Sequence, residues 1–336
     1  MTFISIGDLA QSLQLRRQNT ALKTQMNTLT QELASGQHAD LSRHLNGNMR
    51  ILAGIDSSLS SLDAFQRIAT HAERHLQDTQ SSLDVVQNVA DAASADFLTV
   101  TNVQDPALLD SASANAETKL ATALSALNTQ SAGQSIFAGN ATDQPALIDA
   151  ETMLTTLKTE LAGASSVGDV TAVLNDWFDT PGGGFDTVAY LGSDEPLNAL
   201  KVGQDRSVDV STTATDPAIK TVLKGLAAAA LIQFDIPSGT LENKSSLAQY
   251  SSEILLSSAS SISTLRGAIG LEQSIASEAE TQNGAHISTL EIGRNEITLA
   301  DPYDTATQLE NTRNQLETLF AVTARLSQLK LADFLR

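Results

Sequence analysis

Two apolar seams of seven-residue period constrain this chain more than any other feature. From Leu62 the positions Ala69, Leu76, Leu83, Ala90 and Phe97 recur at every seventh residue, interleaved with Phe65, Ala72, Thr79, Val86, Ala93 and Val100. A heptad sustained over about six repeats keeps one stripe of a helix turned toward a partner helix, which long paired helices satisfy. A second seam runs Leu255, Ile262, Ile269, Ala276, Asn283, Leu290 and Ile297. Its other register, Ser258, Leu265, Glu272, Ala279 and His286, is patchier and predicts a helix paired less uniformly or with two neighbours. Each segment exceeds about 40 residues, a rod of roughly 60 Å at a rise of 1.5 Å per residue.

Composition agrees with thin helical packing. Across 336 residues there are 1 Trp, 3 Tyr and 9 Phe, so a core has to come mainly from Leu, Ile, Val and Ala. The formal charge of -19 repels phosphate, which argues against nucleic-acid binding and against an anionic membrane surface. That charge resides in the middle of the chain. Arg16, Arg17 and Lys23 outweigh Asp8 and Glu32 within residues 1–36, and residues 301–336 are nearly balanced, as expected of ends that are buried against something. The absence of cysteine excludes disulfides, thiolate chemistry and Cys-ligated zinc. The longest uninterrupted apolar run, Leu226 to Ile232, falls far short of the roughly 18–20 residues of a membrane span, so no membrane insertion is expected. At the amino terminus Asp8 interrupts the apolar residues, and Arg16 and Arg17 follow them, the wrong order for a secretory signal. The expectation is a chain that is cytoplasmic or exported without a cleaved leader.

The two ends repeat the helical theme. Leu15, Leu22 and Leu29 form one register and Met26 and Leu33 the other, closed by Gly36 as a helix-ending residue. Near the carboxyl terminus Leu309, Leu316 and Thr323 alternate with Thr312, Leu319 and Leu326. Between the long seams a further helix opens with Asp105 as N-cap and Pro106 at its first position, then carries Leu109, Ala116, Leu120, Ala123 and Leu127. Residues 133–240 differ in kind. They hold Gly182 to Gly184, the single Trp and β-leaning pieces at Val188–Leu191 and Arg206–Val210, with helical stretches at residues 146–161 and 217–234.

The nearly palindromic order predicts a mainly α fold. In it, long antiparallel coiled-coil helices form an elongated rod with both termini at one end and a small mixed α/β insert at the other. The expected domains are residues 1–40 with 301–336, residues 41–132 with 241–300, and residues 133–240.

Chemical motifs are sparse. His71 and His75 have the i, i+4 spacing of a metal pair, but Glu73 lies midway between them, not beside either as in zincin-type sites. With Leu62 at heptad position a, the two histidines fall at c and g, which predicts a solvated face. Asn283 and His286 fall on the second seam and are expected to set register in a helical interface. Gly182–Gly184 lacks the spacing and Lys of a phosphate loop and reads as a turn. No Gly-x-Ser-x-Gly elbow is present. The triplets at Asn140 and Asn243 receive no function. No catalytic, metal or cofactor-binding residue is assigned, and no cofactor is expected.

Four patches carry a family resemblance. The stretch Leu316 to Leu331 resembles the carboxyl-terminal helix of the hook–filament junction proteins, the third hook-associated proteins of the flagellin superfamily. Glu32-Leu33-Ala34-Ser35-Gly36 resembles the Leu-Ser-Ser-Gly stop of that superfamily's first helix. Ser135-Ile136-Phe137-Ala138-Gly139-Asn140 is similar to its Tyr-Ile-Phe-Ala-Gly stretch. Tyr190-Leu191-Gly192 followed by Val202-Gly203-Gln204-Asp205-Arg206 is similar to its outer-domain hairpin. The patches occur in family order. His38 to Arg43 departs from the family's Asn-Pro-Ser-Asp-Asp-Pro-like segment. Met1 to Gly7 lacks the Ile-Asn-Thr-Asn of filament flagellins and the Phe-Ala-Gly patch also points away from them, so the junction branch is favoured.

The resemblance implies an extracellular structural protein of the bacterial flagellum, exported unfolded through the type III channel without a cleaved signal peptide. It implies self-association in a ring, with the hook-side junction protein, flagellin and a flagellar export chaperone as partners and no catalysis. The implied assembly interface is Leu15, Leu22, Met26, Leu29, Leu33, Leu309, Leu316, Leu319 and Leu326. The alternatives are a filament flagellin, or a secreted coiled-coil tip or translocator protein of a type III system.

Overall fold

The computed structural model describes residues 6–103 and 105–334, with side chains over residues 10–101 and 105–326. The fold is mainly α. In chain order the helices are α1 (Ile6–Ser35), α2 (Leu41–His44), α3 (Arg50–Val103), α4 (Pro106–Leu127), α5 (Ala150–Glu160), α6 (Val167–Asp179), α7 (Pro217–Leu231), α8 (Leu241–Thr298) and α9 (Pro302–Phe334). Two small antiparallel hairpins join them, β1 (Gln130–Ser131) with β2 (Gln134–Ser135) and β3 (Leu200–Lys201) with β4 (Ser207–Val208). The chain divides into two compact units, residues 62–284 and residues 1–61 with 285–336.

In the unit of residues 62–284 the first seam is interior: Ala69, Ala72, Leu76, Thr79, Leu83, Val86, Ala90, Ala93 and Phe97 are all buried. Leu255, Ile262, Ile269 and Ala276 of α8 are buried likewise. Polar side chains at the edge tie α3 to α8: Gln80 Nε2 donates to the Arg266 carbonyl at 2.6 Å, and Arg266 reaches Gln87 Oε1 at 2.6 Å and Asp84 at 2.9 Å. α4 starts as its sequence predicts, with Asp105 Oδ1 accepting from the Ala107 amide at 2.9 Å and Pro106 where no amide donor is needed.

The insert is more helical than its sequence suggested. Its helices α5, α6 and α7 pack into the same core as α3 and α4. α6, which periodicity did not single out, is fixed by a capping box between Ser166 and Asp169. The β-leaning Val188–Leu191 is instead part of a π-helical turn, Phe185–Ala189, ending in an isolated bridge between Tyr190 and Leu147. Trp177, Phe178 and Phe185 cluster against it, with Trp177–Phe178 ring centroids 4.6 Å apart. From Val222 to Leu231 every residue of α7 is buried, as befits a helix segment that is apolar on nearly all sides. The 18-residue window Pro217–Phe234 is long and apolar enough to cross a membrane, as is a window of α8, a point that counting uninterrupted runs missed. The α7 window is 78% buried in the core.

Two of the family-like patches hold close packing here. Ile136, Phe137 and Ala138 are fully buried. Gly139, at φ +58, leaves no room for a Cβ, which would sit 2.6 Å from the Ser193 carbonyl. The Tyr190 hydroxyl donates to that carbonyl at 3.0 Å. In the turn of the β3–β4 hairpin the Arg206 carbonyl accepts from the amides of Val202 at 3.0 Å and Gly203 at 3.2 Å.

In the unit of residues 1–61 with 285–336, α1 stops where expected. Gly36 adopts φ +70 and donates its amide to the Glu32 carbonyl at 2.8 Å, a conformation that glycine reaches without Cβ strain. The connector after it pairs with the α8–α9 connector through the Gln37–Leu299 bridge, with His38 N donating to Thr298 O at 2.9 Å and Ala300 N to Gly36 O at 3.0 Å. His38 and His44 stack there at 3.8 Å between centroids, and Asp40 caps α2. These residues replace the family-like segment that the sequence lacks. Asp301 then caps α9, accepting from the amides of Tyr303 and Asp304.

Candidate assembly surface

α1 and α9 pack against each other along their length. They run antiparallel, because Leu15 and Leu22 share a groove with Leu319 and Val322, whereas Met26 and Leu33 share one with Ala306 and Leu309. The leucine ladders read from the sequence therefore face each other, yet they are not sealed. Leu29 is buried at 6% exposure; Leu15, Leu22, Met26, Leu309, Leu316, Leu319 and Leu326 are half-buried; Leu33 is 42% exposed. Among the described side chains of α9 the tightest are Thr305 and Thr312. Thr305 was missed by the sequence reading, although it lies one heptad before Thr312 in the same register.

Two open grooves flank this seam on opposite sides of α9. One, of about 720 Å³, is lined by Leu15, Leu22 and Leu319 together with the uncharged Gln18, Asn314 and Gln315. The other, of about 630 Å³, is lined by Met26, Leu33, Leu309 and Leu316 with Glu310, Arg313 and Phe320. Phe320 is 47% exposed, with the Lys23 ammonium 5.9 Å from its ring centroid. Two helices with a single two-body seam bury that seam; these leave most of a leucine ladder half in water, a surface suited to further helices.

The other candidates move away from chemistry. His71 is exposed as expected, but His75 is buried, contrary to the solvated-face expectation. The heptad register assumed one partner for α3. The helix has several: Gln80 reaches α8, Asp78 holds Ser131 of β1, and Asp96 holds Lys119 of α4, so a position flanking one seam lies inside another contact. Burial pushes the His75 pKa down, His71 adds to this, and Asp78 opposes it. Among the described residues no group of three or more His, Cys, Asp or Glu is arranged to hold a metal ion. Asn283 is buried, but its Nδ2 donates to the Val202 carbonyl of the β3–β4 hairpin at 3.0 Å, and His286 is exposed. The pair expected to set a helical register instead anchors the hairpin through one member.

No protein-family model matches the chain, and no curated protein does. The solved structures that are similar to it include two flagellar proteins. FlgL from Bacillus cereus is 13% identical with a TM-score of 0.42, the match covering 68% of this chain and 96% of that one. A protein assigned as a flagellar hook-associated protein from Vibrio parahaemolyticus is 13% identical with a TM-score of 0.42, covering 72% of this chain and 96% of that one.

Proposed function

We propose that this chain is a structural subunit of the bacterial flagellum. In this reading it is a ring-forming adaptor that joins the hook side to the flagellin filament through its terminal helices and performs no catalysis. The observation that carries the proposal is the half-sealed α1/α9 ladder, with a groove on each side of α9. The four family-like sequence patches, in family order, support it. Its partners are further copies of the chain, the hook-side junction protein and flagellin, with a flagellar export chaperone before assembly. The chain would leave the cell without a cleaved signal peptide and act outside it.

Leu319→Asp tests this. Leu319 lines the first groove, where a neighbouring helix would desolvate an introduced carboxylate at a cost of several kcal/mol, repeated in every subunit. In the isolated chain the site is half-open, so the variant is made, exported and folded. Cells carrying it bear hooks without filaments and leak flagellin. Asn27→Asp, on an exposed side of α1, leaves filaments intact. Normal filaments with Leu319→Asp located at the junction would overturn the proposal.

A further inference from the structure

Most cations in the unit of residues 62–284 are paired: Lys119, Arg206, Lys220, Lys224, Lys244 and Arg266 each hold a carboxylate. Arg67 and Arg74 differ. Among the described residues neither belongs to an ion pair, and both are exposed on α3 with an exposed His71 between them. Spacings of four and three residues put the three side chains on one helix face. The same spacing carries that face on to Asp78, Ser81 and Val85. There it becomes one wall of an open groove of about 650 Å³, whose other wall holds Ala121, Thr122 and Ser125 of α4. The groove is lined by small and hydroxyl-bearing side chains, with the apolar Val85 38% exposed in it.

α8 meets α3 on the other flank. Thr70 Oγ1 donates to Glu280, Gln80 Nε2 to the Arg266 carbonyl and Gln87 Nε2 to Ser263 Oγ, so the two helices run antiparallel. These bonds also fix levels along the pair. Gly267 is level with Ser81, Leu271 with the Asp78 end of the groove, and Glu278 with the stretch from Arg67 to Arg74. Away from α3, α8 exposes a face of Ser260, Thr264, Gly267, Leu271 and Glu278. Leu271 is 63% exposed, and the Glu278 carboxylate is 61% exposed with only Oε2 set against Arg206, at 3.3 Å.

We propose that the α3/α4 groove receives the outward face of α8 from a second copy of the chain, with Glu278 of that copy against Arg67 and Arg74. The inference rests on the ring of copies proposed above. Copies related by rotation about a ring axis keep their levels, so the small residues and Leu271 meet the groove while Glu278 meets the arginines. Leu271 and Val85 leave water together, and small side chains on both surfaces let the helices come close. Charges farther apart than about 8 Å are screened at physiological ionic strength, so the local stripe decides the match rather than the net charge. The two surfaces are different patches of one chain, the head-to-tail kind of contact that closes into a ring.

Single cysteines test the contact, since the chain has none of its own. Ser81→Cys and Gly267→Cys both alter exposed positions, and a Cβ at Gly267 meets nothing within 4 Å. The two full-length proteins, one carrying a mass tag, are mixed at equal high concentration and oxidised. The mixed disulfide dimer is expected in clear excess over random pairing. Arg67→Glu with Arg74→Glu in the Ser81→Cys partner should slow its formation about threefold or more at low salt. Glu278→Lys in the Gly267→Cys partner should recover the rate, and high salt should flatten the difference. Random pairing leaves the groove to another occupant and overturns the proposal. An excess of either homodimer, which marks a two-fold contact, overturns it as well, as does a charge reversal that Glu278→Lys fails to rescue. Leu319 lies outside this surface, so filament loss in Leu319→Asp together with random pairing here would sink this contact and leave the flagellar reading standing. A specific mixed dimer with normal Leu319→Asp filaments would do the reverse.

Discussion

Gly184→Ala sets two effects of opposite sign against each other. Gly184 sits at φ -59 and ψ -32, backbone that alanine adopts freely. On backbone entropy alone the substitution would stabilise the protein by about 0.4–1 kcal/mol. The new Cβ, however, would lie 1.9 Å from Trp177 Nε1 and 2.1 Å from its Cδ1, far inside van der Waals contact. The indole is 6% exposed and wedged between Phe178 and Phe185, with ring centroids at 4.6 Å and 6.0 Å, so it cannot swing out without opening the aromatic cluster. Overpacking of this kind costs about 1–3 kcal/mol. The steric effect wins, and a net loss of about 1–2 kcal/mol is expected, or roughly 2–8 °C in the melting temperature of a unit this size. Trp177 is the single tryptophan of the chain, so its fluorescence reports the site directly. Urea and thermal melts followed by that signal should show an earlier transition and a red-shifted native emission. Gly163→Ala, where a Cβ meets nothing within 4 Å, is the matched control and should be neutral or slightly stabilising. A Gly184→Ala protein as stable as the parent, with unchanged emission, would refute the packing argument.

Other consequences are equally direct. Leu120→Ala in the fully buried face of α4 should lose about 2–5 kcal/mol, seen as a lower urea midpoint. Asp216→Ala removes the oxygen that accepts from the Ala218 amide at 2.8 Å and should cost about 1 kcal/mol, which Asp216→Ser largely restores. Burial lifts the phenols of Tyr190 and Tyr250 to about 12, so ultraviolet titration should find two tyrosines ionising near there. Because their unfolded pKa is about 10, the stability they contribute is complete below that value and lost as pH rises toward 12. His75 behaves in the opposite sense. Its depressed pKa means that the unfolded chain takes up the proton first, so stability falls as pH drops below about 6.5, and a His75→Gln protein should lose that slope in acid melts.

Periodicity and local chemistry determined much of this protein without reference to distant contacts. The two heptad seams, the Asp105–Pro106 start, the Gly36 stop and the leucine registers of both terminal helices were all legible, because each depends on residues within a few turns of one another. The facing of α1 on α9 followed from two ladders that each lacked a partner. What the sequence could not supply was the number of neighbours each helix meets. A heptad marks one seam, and α3 serves several partners, so His75 is interior despite its flanking register. Asn283 was read as a contact between helices, yet it holds a hairpin that arrives from 81 residues away. In sequence Gly184 reads as one glycine of a turn, and only the fold puts an indole where its Cβ would be. The α1/α9 grooves and the insert's shared core arise in the same way. Burial and electrostatic environment depend on what long-range packing brings alongside a residue, and that is set by tertiary structure.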